Sequence, residues 1–587
     1  MRQSIIQFLL FAGVLLFANL AVSFVYWDID LTEDKRYTLT DATYKLLDNL
    51  EDVVTIEIYL EGEFPASIKH LQNSTRELLE KFRSRNPLIE YRFVNPLEGD
   101  SVANTPAAQK QLFEAYKKRG INPVGITVNT KGTREQKVLF PAAAIRYKNT
   151  ERVVSLLHEI GGVNQDYTRM ENINLSVNLL EYKFANAIQK IGRIARPRVA
   201  LLTGHGEIDR PFSEGLEKSL YEYYDIARIN LDSTYGVDTL IDVLMILKPQ
   251  TSLGEKHQFM IDQYLMNGGK IIWALDMVNV EQDTLMKAGI CFPMDRTLDI
   301  GSQLFDYGAR VNANVIEDLK CSKIPVVKGG TPEKPQLELL DWVYHPTVYP
   351  YKTALEREQS GSSLIEHPIV QNIDYVDSRY PSSIDTVQTK GRVKATPLLR
   401  GSRYSKLRRL PFEISLESIK NNLTQAYFEE SAKKNKNYPL VAVLLEGEFV
   451  SFFRNRVSPE MKANFERAGR PIRDQSRPTK QIVISDGDIA RNEMVYRTGQ
   501  IMPLGMNKYE GYQYGNRDFM MNCVEYMIDN EGIIAARAKE VKLRPLDQER
   551  GFTEESFWQF INLGLPLLVT IVSGILYTIW RRKRYAW

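Results

Sequence analysis

Hydrophobic and polar positions alternate with a period of two at Val54, Ile56, Ile58 and Leu60, separated by Thr55, Glu57 and Tyr59, and predict a strand. Leu71, Leu78, Leu79 and Phe82 share one helix face, and Ile89, Tyr91 and Phe93 line a second strand ahead of Pro96. A helix over residues 107–118 ends at Gly120, which suits the left-handed turn after a helix. Residues 125–129 and 138–147 then read as strands joined through Lys131-Gly132. Over 172–191 the spacing of Leu180, Phe184, Ile188 and Ile191 predicts a connecting helix, closed by Gly192 and Pro197. Next come a strand at 198–203, a helix at 212–224, a strand at 225–231 and the unbroken apolar run 243–247. A helix carrying Ile261, Tyr264 and Leu265 and a strand at 271–275 follow. Such alternation predicts right-handed βαβ units and a doubly wound sheet. Residues 441–445 and 481–485 read as late strands of that sheet, and 517–528 as a helix packed back on it. The stretch 291–436, rich in proline and polar residues, reads as loops with β-excursions.

Two runs lack any amphipathic pattern. Residues 5–26 contain only Gln7, Asn19 and Ser23 as clearly polar side chains. A helix of that length spans about 33 Å, enough for the ~30 Å hydrocarbon layer. Ala21-Val22-Ser23 offers a cleavage-like site, but the run exceeds the ~7–15 residues of a signal-peptide core, so an uncleaved anchor is expected. The second run, 563–580, is entered through Phe557, Trp558 and Phe560 and holds Gly564, Pro566 and Gly574. It stops at Arg581-Arg582-Lys583-Arg584, which places the tail in the cytoplasm. Arg2 before the first run, and Asp28, Asp30, Glu33 and Asp34 after it, place the N-terminus on the same side. Residues 28–556 are therefore expected on the outer side of the membrane.

Composition adds bounds. With 587 residues, 43% apolar and 25% charged, the chain is globular and long enough for more than one domain. Its 75 Lys+Arg against 73 Asp+Glu exclude the strongly basic footprint of a nucleic-acid binder. Arg2 and Arg581–Arg584 are the only charged residues of segments 1–27 and 557–587. That leaves 70 basic against 73 acidic residues and a mildly acidic exterior. Cys291, Cys321 and Cys523 make neither a disulfide framework nor a metal knuckle.

The sharpest local motif is Gly204-His205-Gly206-Glu207, at the carboxyl end of a predicted strand, where ligands bind in open α/β sheets. His205 and Glu207 read either as metal ligands or acid and base, or as groups that tie the loop to its neighbours. A catalytic metal needs about three protein ligands, and no third is evident. Asp276 and Asp486 end other strands and are candidates to converge with them on a ligand or partner loop. His158-Glu159 lacks the second histidine of a zinc motif, and Asp486-Gly487-Asp488 lacks the rest of a calcium loop. No P-loop or nucleophile elbow occurs. No catalytic residue, metal or cofactor is expected.

The order β-α-β-α-β-β-α over 28–160 resembles a thioredoxin-like fold, with Pro123 before its third strand. Where that fold carries Cys-x-x-Cys, this chain reads Glu61-Gly62-Glu63-Phe64-Pro65, so a binding or scaffolding module is expected. More broadly, the chain resembles the GldG-type auxiliary subunit of ABC transport systems, tied to gliding motility. The resemblance rests on Leu201-Leu202-Thr203 with the His205 loop, Asn267-Gly268-Gly269-Lys270, Gly515-Asn516-Arg517-Asp518-Phe519, Leu543-Arg544-Pro545-Leu546-Asp547 and the basic C-terminal span. It implies an α/β domain over 197–535, flavodoxin-like and amidotransferase-like, with insertions. Transmembrane helices over 1–27 and 557–587, a linker helix over 161–196 and a juxtamembrane segment over 536–556 complete the layout. It also implies a non-catalytic subunit bound to a multi-span ABC permease and a separate ABC ATPase, with Gly564 and Gly574 allowing close helix packing. A cell-wall or secretion-machinery partner is a further expectation. The alternative is a membrane-tethered hydrolase or carbohydrate-binding enzyme using His205 and Glu207.

Overall fold

The computed structural model describes residues 10–11, 13–14, 17, 38–97, 106–130, 133–158, 169–193, 195–331, 334–350, 367–417, 425–434, 438–467, 471–495, 498–538 and 554–585. Two compact units divide the chain: Thr38–Lys539, and Met1–Tyr37 with Glu540–Trp587.

The first unit begins with α1 (Asp41–Asp48), β1 (Val54–Ile58), α2 (Ala66–Arg85), β2 (Ile89–Phe93) and α3 (Pro106–Lys118). There follow β3 (Val124–Thr130), β4 (Thr133–Leu139), β5 (Ala142–Tyr147), β6 (Thr150–Ser155), α4 (Met170–Asn178) and α5 (Leu180–Gly192). The sheet order is β2-β1-β5-β6, with β1 and β2 parallel and the other pairs antiparallel. The expected single strand at 138–147 is in fact two. Phe140-Pro141 interrupts it, because proline has no N–H to give to a ladder. Residues 133–139 pair with β3 in a separate hairpin, and 142–147 join the main sheet.

The connecting helix of the sequence reading is broken at Leu179 and packs on both sides. Ile173, Leu180, Phe184 and Ile188 enter a core with Ile56, Leu71, Phe82 and Ile145. From the same helix, Tyr182 and Ala185 meet Ile533, Ile534 and Ala536. Lys190 Nζ lies 2.7 Å from Glu525, which also accepts a hydrogen bond from Tyr182. Burial opposes the charge of Glu525, but Lys190 and Tyr182 outweigh it and hold that carboxyl below its usual range.

Beyond α5 lie β7 (Arg198–Thr203), α6 (Arg210–Tyr221), β8 (Asp225–Asn230), β9 (Val243–Leu247), α7 (Glu255–Met266) and β10 (Lys270–Ala274). Later come β11 (Cys321–Thr331), β12 (Lys334–Pro350), β13 (Arg392–Arg400), β14 (Leu440–Glu448), β15 (Thr479–Ile484) and α8 (Asn516–Ile528). These strands form the path β11-β12-β13-β14-β15-β10-β9-β7-β8 of a twelve-stranded sheet. The block β8-β7-β9-β10-β15 is parallel, and β14 to β11 continue it antiparallel. The β-excursions expected within 291–436 are thus strands of this sheet, longer than a loop-rich reading allows. The prolines of that stretch read as breakers, yet Pro325, Pro335 and Pro346 sit within the outermost hairpin, where a missing ladder donor is tolerated.

Alternation along the strands fills two cores. Val199, Leu201, Met245 and Ile272 pack under α6 and α8, against Leu216, Leu220, Phe519 and Val524. Ala200, Leu202, Ile246 and Trp273 pack under α7, against Ile261, Tyr264 and Leu265. At the end of α7, Gly268 takes φ +97°, and a Cβ on Gly269 would lie 2.5 Å from the Tyr264 ring. The Asn267-Gly268-Gly269 stop is thus fixed by geometry.

Among the described residues one helix, Ser556–Arg584, is long and apolar enough to cross a membrane, and none of its most apolar window is buried. The apolar run at 5–26 lies almost wholly outside the described residues, as does Leu543–Asp547.

Candidate functional site

Because β7, β9, β10 and β15 run parallel, their carboxyl ends share one edge of the sheet, and two polar clusters form there. After β7 the chain turns through Gly204 (φ +114°) and Gly206 (φ +73°). A Cβ on Gly204 would lie 3.1 Å from the Asn230 side chain, and one on Gly206 2.9 Å from Gln250. The backbone N–H groups of Gln250 and Thr251 donate to the His205 carbonyl at 2.7 and 3.0 Å, which locks this loop to the one after β9.

Within the loop, the Glu207 carboxylate accepts from the His205 backbone N–H at 2.8 Å and meets His205 Nδ1 at 3.2 Å. His205 Nε2 contacts Nδ1 of His257, in the first turn of α7, at 2.9 Å. His257 Nε2 in turn lies 3.1 Å from Asp232, which is exposed in the short turn Leu231–Ser233 after β8. The result is a chain of four groups, Glu207-His205-His257-Asp232. Burial opposes the Glu207 charge, but the hydrogen bonds from His205 prevail and lower its pKa. Both ring nitrogens of His205 are engaged by protein groups, and its side chain is only 6% exposed.

The second cluster centres on Lys248, a non-glycine residue at φ +56° just after β9. Its ammonium is 3.0 Å from Asp276, after β10, and also pairs with Asp488, beyond β15. Burial alone would lower the Lys248 pKa, yet Asp276 and Asp488 raise it. The Gly487 N–H donates to Asp276 at 2.6 Å, and a Cβ on Gly487 would lie 2.4 Å from that of Lys248. Asp486 accepts from the backbone N–H groups of Arg379 at 2.7 Å and Asp488 at 2.8 Å. Burial, then Asp488 and Asp276, push the Asp486 carboxyl well above its ordinary range. Arg379 pairs with Glu493, which Lys508 approaches at 3.3 Å.

Over this network lies a cleft of about 700 Å³, the size of a small-molecule site. Lys248, Asp276, Asp488, Arg379 and Glu493 line it, as does Arg296. Arg296 donates to the side-chain oxygens of Gln250 and, at 2.7 Å, Asn279, and has no carboxylate partner among the described residues.

The candidates named from sequence thus do not converge on one point. His205 and Glu207 face His257 and Asp232, Asp276 lines the cleft, and Asp486 is buried beneath it in a turn. Lys248, Arg379, Arg296 and His257 were missed, since each is ordinary in its local sequence and gains meaning only from a neighbour far along the chain. The one available signal was position, Lys248 following the apolar run 243–247 directly. Gly574 has open space beside it, and a Cβ on Gly564 would meet only the Phe560 ring of its own helix at 3.1 Å. Among the described residues no group of three or more His, Cys, Asp or Glu could hold a metal ion.

A family model described as an ABC-type uncharacterized transport system matches residues 196–523, more than half of the chain. The chain belongs to this family of ABC transporter auxiliary proteins. In this auxiliary protein the family match contains both polar clusters, while a model of a domain of unknown function matches residues 33–146. An uncharacterized protein of Borreliella burgdorferi is 22% identical to the auxiliary protein over 464 residues, 76% of this chain and 78% of that protein. Among solved structures, the mmIFT52 N-terminal domain is similar over 57% of this chain and 98% of its own length. It is 10% identical with a TM-score of 0.29, too low to carry an argument.

Proposed function

We propose that this auxiliary protein is a non-catalytic, membrane-anchored subunit of an ABC transport complex, with its large unit held outside the inner membrane to bind a ligand or partner. The observation that carries this reading is the helix Ser556–Arg584, unburied along its apolar length in a member of an ABC transport family. Two spanning helices at most, over 1–27 and 557–587, cannot easily build a transport path, so a multi-span permease and a separate ATPase complete the complex. Both termini are cytoplasmic in this reading and residues 28–556 periplasmic. The sheet order β8-β7-β9-β10-β15, second strand outside the first and then third to fifth, supports a flavodoxin-like reading of the large α/β domain. The order β2-β1-β5-β6 supports a thioredoxin-like one for the first.

The motifs shared with GldG-type subunits support a role in gliding motility and linked secretion. Arg296, held only by neutral amides, suits the cleft to an anionic group on its ligand. Purification in detergent tests the assignment: an ATPase and a multi-span protein are expected to co-purify, and recovery of the chain with neither overturns it.

A further inference from the structure

A second cleft, of about 790 Å³, opens in the antiparallel half of the large sheet and shares no lining residue with the first. Six tyrosines line it: Tyr349, Tyr375, Tyr404, Tyr438, Tyr512 and Tyr514. They come from five separate places: the end of β12, the residue before the strand Val376–Asp377 that pairs with it, the turn after β13, the approach to β14, and the end of the hairpin over 506–513 with the residue that follows it. Tyr349 and Tyr375 meet edge to face with centroids 4.8 Å apart, and Tyr512 and Tyr514 do the same. Tyr375 is 46% exposed, whereas Tyr349, Tyr404, Tyr438 and Tyr512 are half-buried. Tyr375 is thus the most open of the six rings, while the Arg400 and Arg403 guanidinium groups lie over the Tyr438 and Tyr404 rings, 4.2 and 4.7 Å from their centroids.

Charge and polarity narrow the ligand. Asp341 and Glu510 share the lining with Lys320 and Arg403, so the formal charges cancel. Glu510 accepts from the Tyr514 hydroxyl at 2.8 Å and Arg403 donates to that of Tyr404 at 2.5 Å. Ser402 and Thr347 add hydroxyls, and Leu319 is the one aliphatic side chain in the lining.

We propose that this cleft binds a neutral oligosaccharide. Tyrosine faces cover the C–H face of a sugar ring while their hydroxyls and the planar carboxylate and guanidinium groups bridge its hydroxyls. Balanced charge asks for no net charge on the ligand. A peptide anchored by aliphatic side chains would need an apolar pocket, which Leu319 alone does not make, and a proline-rich peptide, which docks in aromatic-lined grooves, is the competing ligand of the test.

The test is calorimetric titration of the full chain, in a detergent without a sugar headgroup, with chitotetraose, cellotetraose and a decaproline peptide. At least one saccharide is expected to bind, and the double change Tyr375→Ala, Tyr404→Ala to weaken it at least tenfold with an unchanged melting temperature. A readout needing no variant is protection of Tyr375 from nitration by tetranitromethane in the presence of the saccharide. The proposal is overturned if neither saccharide binds, if decaproline alone binds, if binding survives the double change, or if nitration of Tyr375 is unaffected by bound saccharide.

Discussion

Nε2 of His205 lies 2.9 Å from Nδ1 of His257, while each imidazole turns its other nitrogen to a carboxylate. Burial lowers the His257 pKa; His205 and Lys256 add to this, and Asp232 opposes it. His257→Leu leaves His205 Nε2 buried without a partner. A loss of about 1–3 kcal/mol in urea unfolding is expected, and an unchanged midpoint would show the pair to be dispensable.

Replacement of Lys248 by Met removes the cation between Asp276 and Asp488 while keeping most of its length. Breaking a buried pair from one side typically destabilises by about 3–5 kcal/mol. Denaturant unfolding should show a loss of that order, partly restored when Asp488→Asn is added.

Gly206 stands at φ +73° with Gln250 where a side chain would go. Gly206→Ala is expected to lower stability by roughly 1–3 kcal/mol, and Gly574→Ala, with open space beside it, to leave the melting temperature unchanged.

His158 is buried, and burial pulls its pKa down to about 4, although Asp518 opposes this. A folded pKa below the unfolded one means that the unfolded chain binds the proton more readily. The stability contributed by neutral His158 is complete above about pH 6.5 and is lost as pH falls toward 4. The difference between wild type and His158→Gln should shrink by roughly 3 kcal/mol between pH 7.5 and pH 4. Parallel unfolding curves at both pH values measure it, and a constant difference would refute the assignment.

Local periodicity made the parallel half of the sheet legible. The apolar runs within 243–247 and 198–203 each bury both faces, so their hydrophobic pattern alone marks them as inner strands. Of the antiparallel half only β14 was legible, because β12 mixes prolines and charges over 17 residues and is held by partners such as β13, over forty positions later. The glycine motifs were visible but their roles were not. Gly515 would place a Cβ 2.6 Å from the Asp374 carbonyl, and Asn516 both donates to and accepts from Asp377, so that motif clamps α8 to a distant strand. The His205 loop was visible too, yet its partners His257 and Asp232 lie 52 and 27 positions further along, beyond any local pattern.

Tyr182 and Lys190 on α5 grip Glu525 of α8, and the turn Ile533–Ala538 packs against the same helix. A pull on the chain at residue 538 would therefore be felt at the seam between the two sheets rather than at the rim of either. Tension entering there would strain both halves together. In a force-extension experiment residues 38–538 should rupture in one step, and two separate steps would mean that the seam parts first.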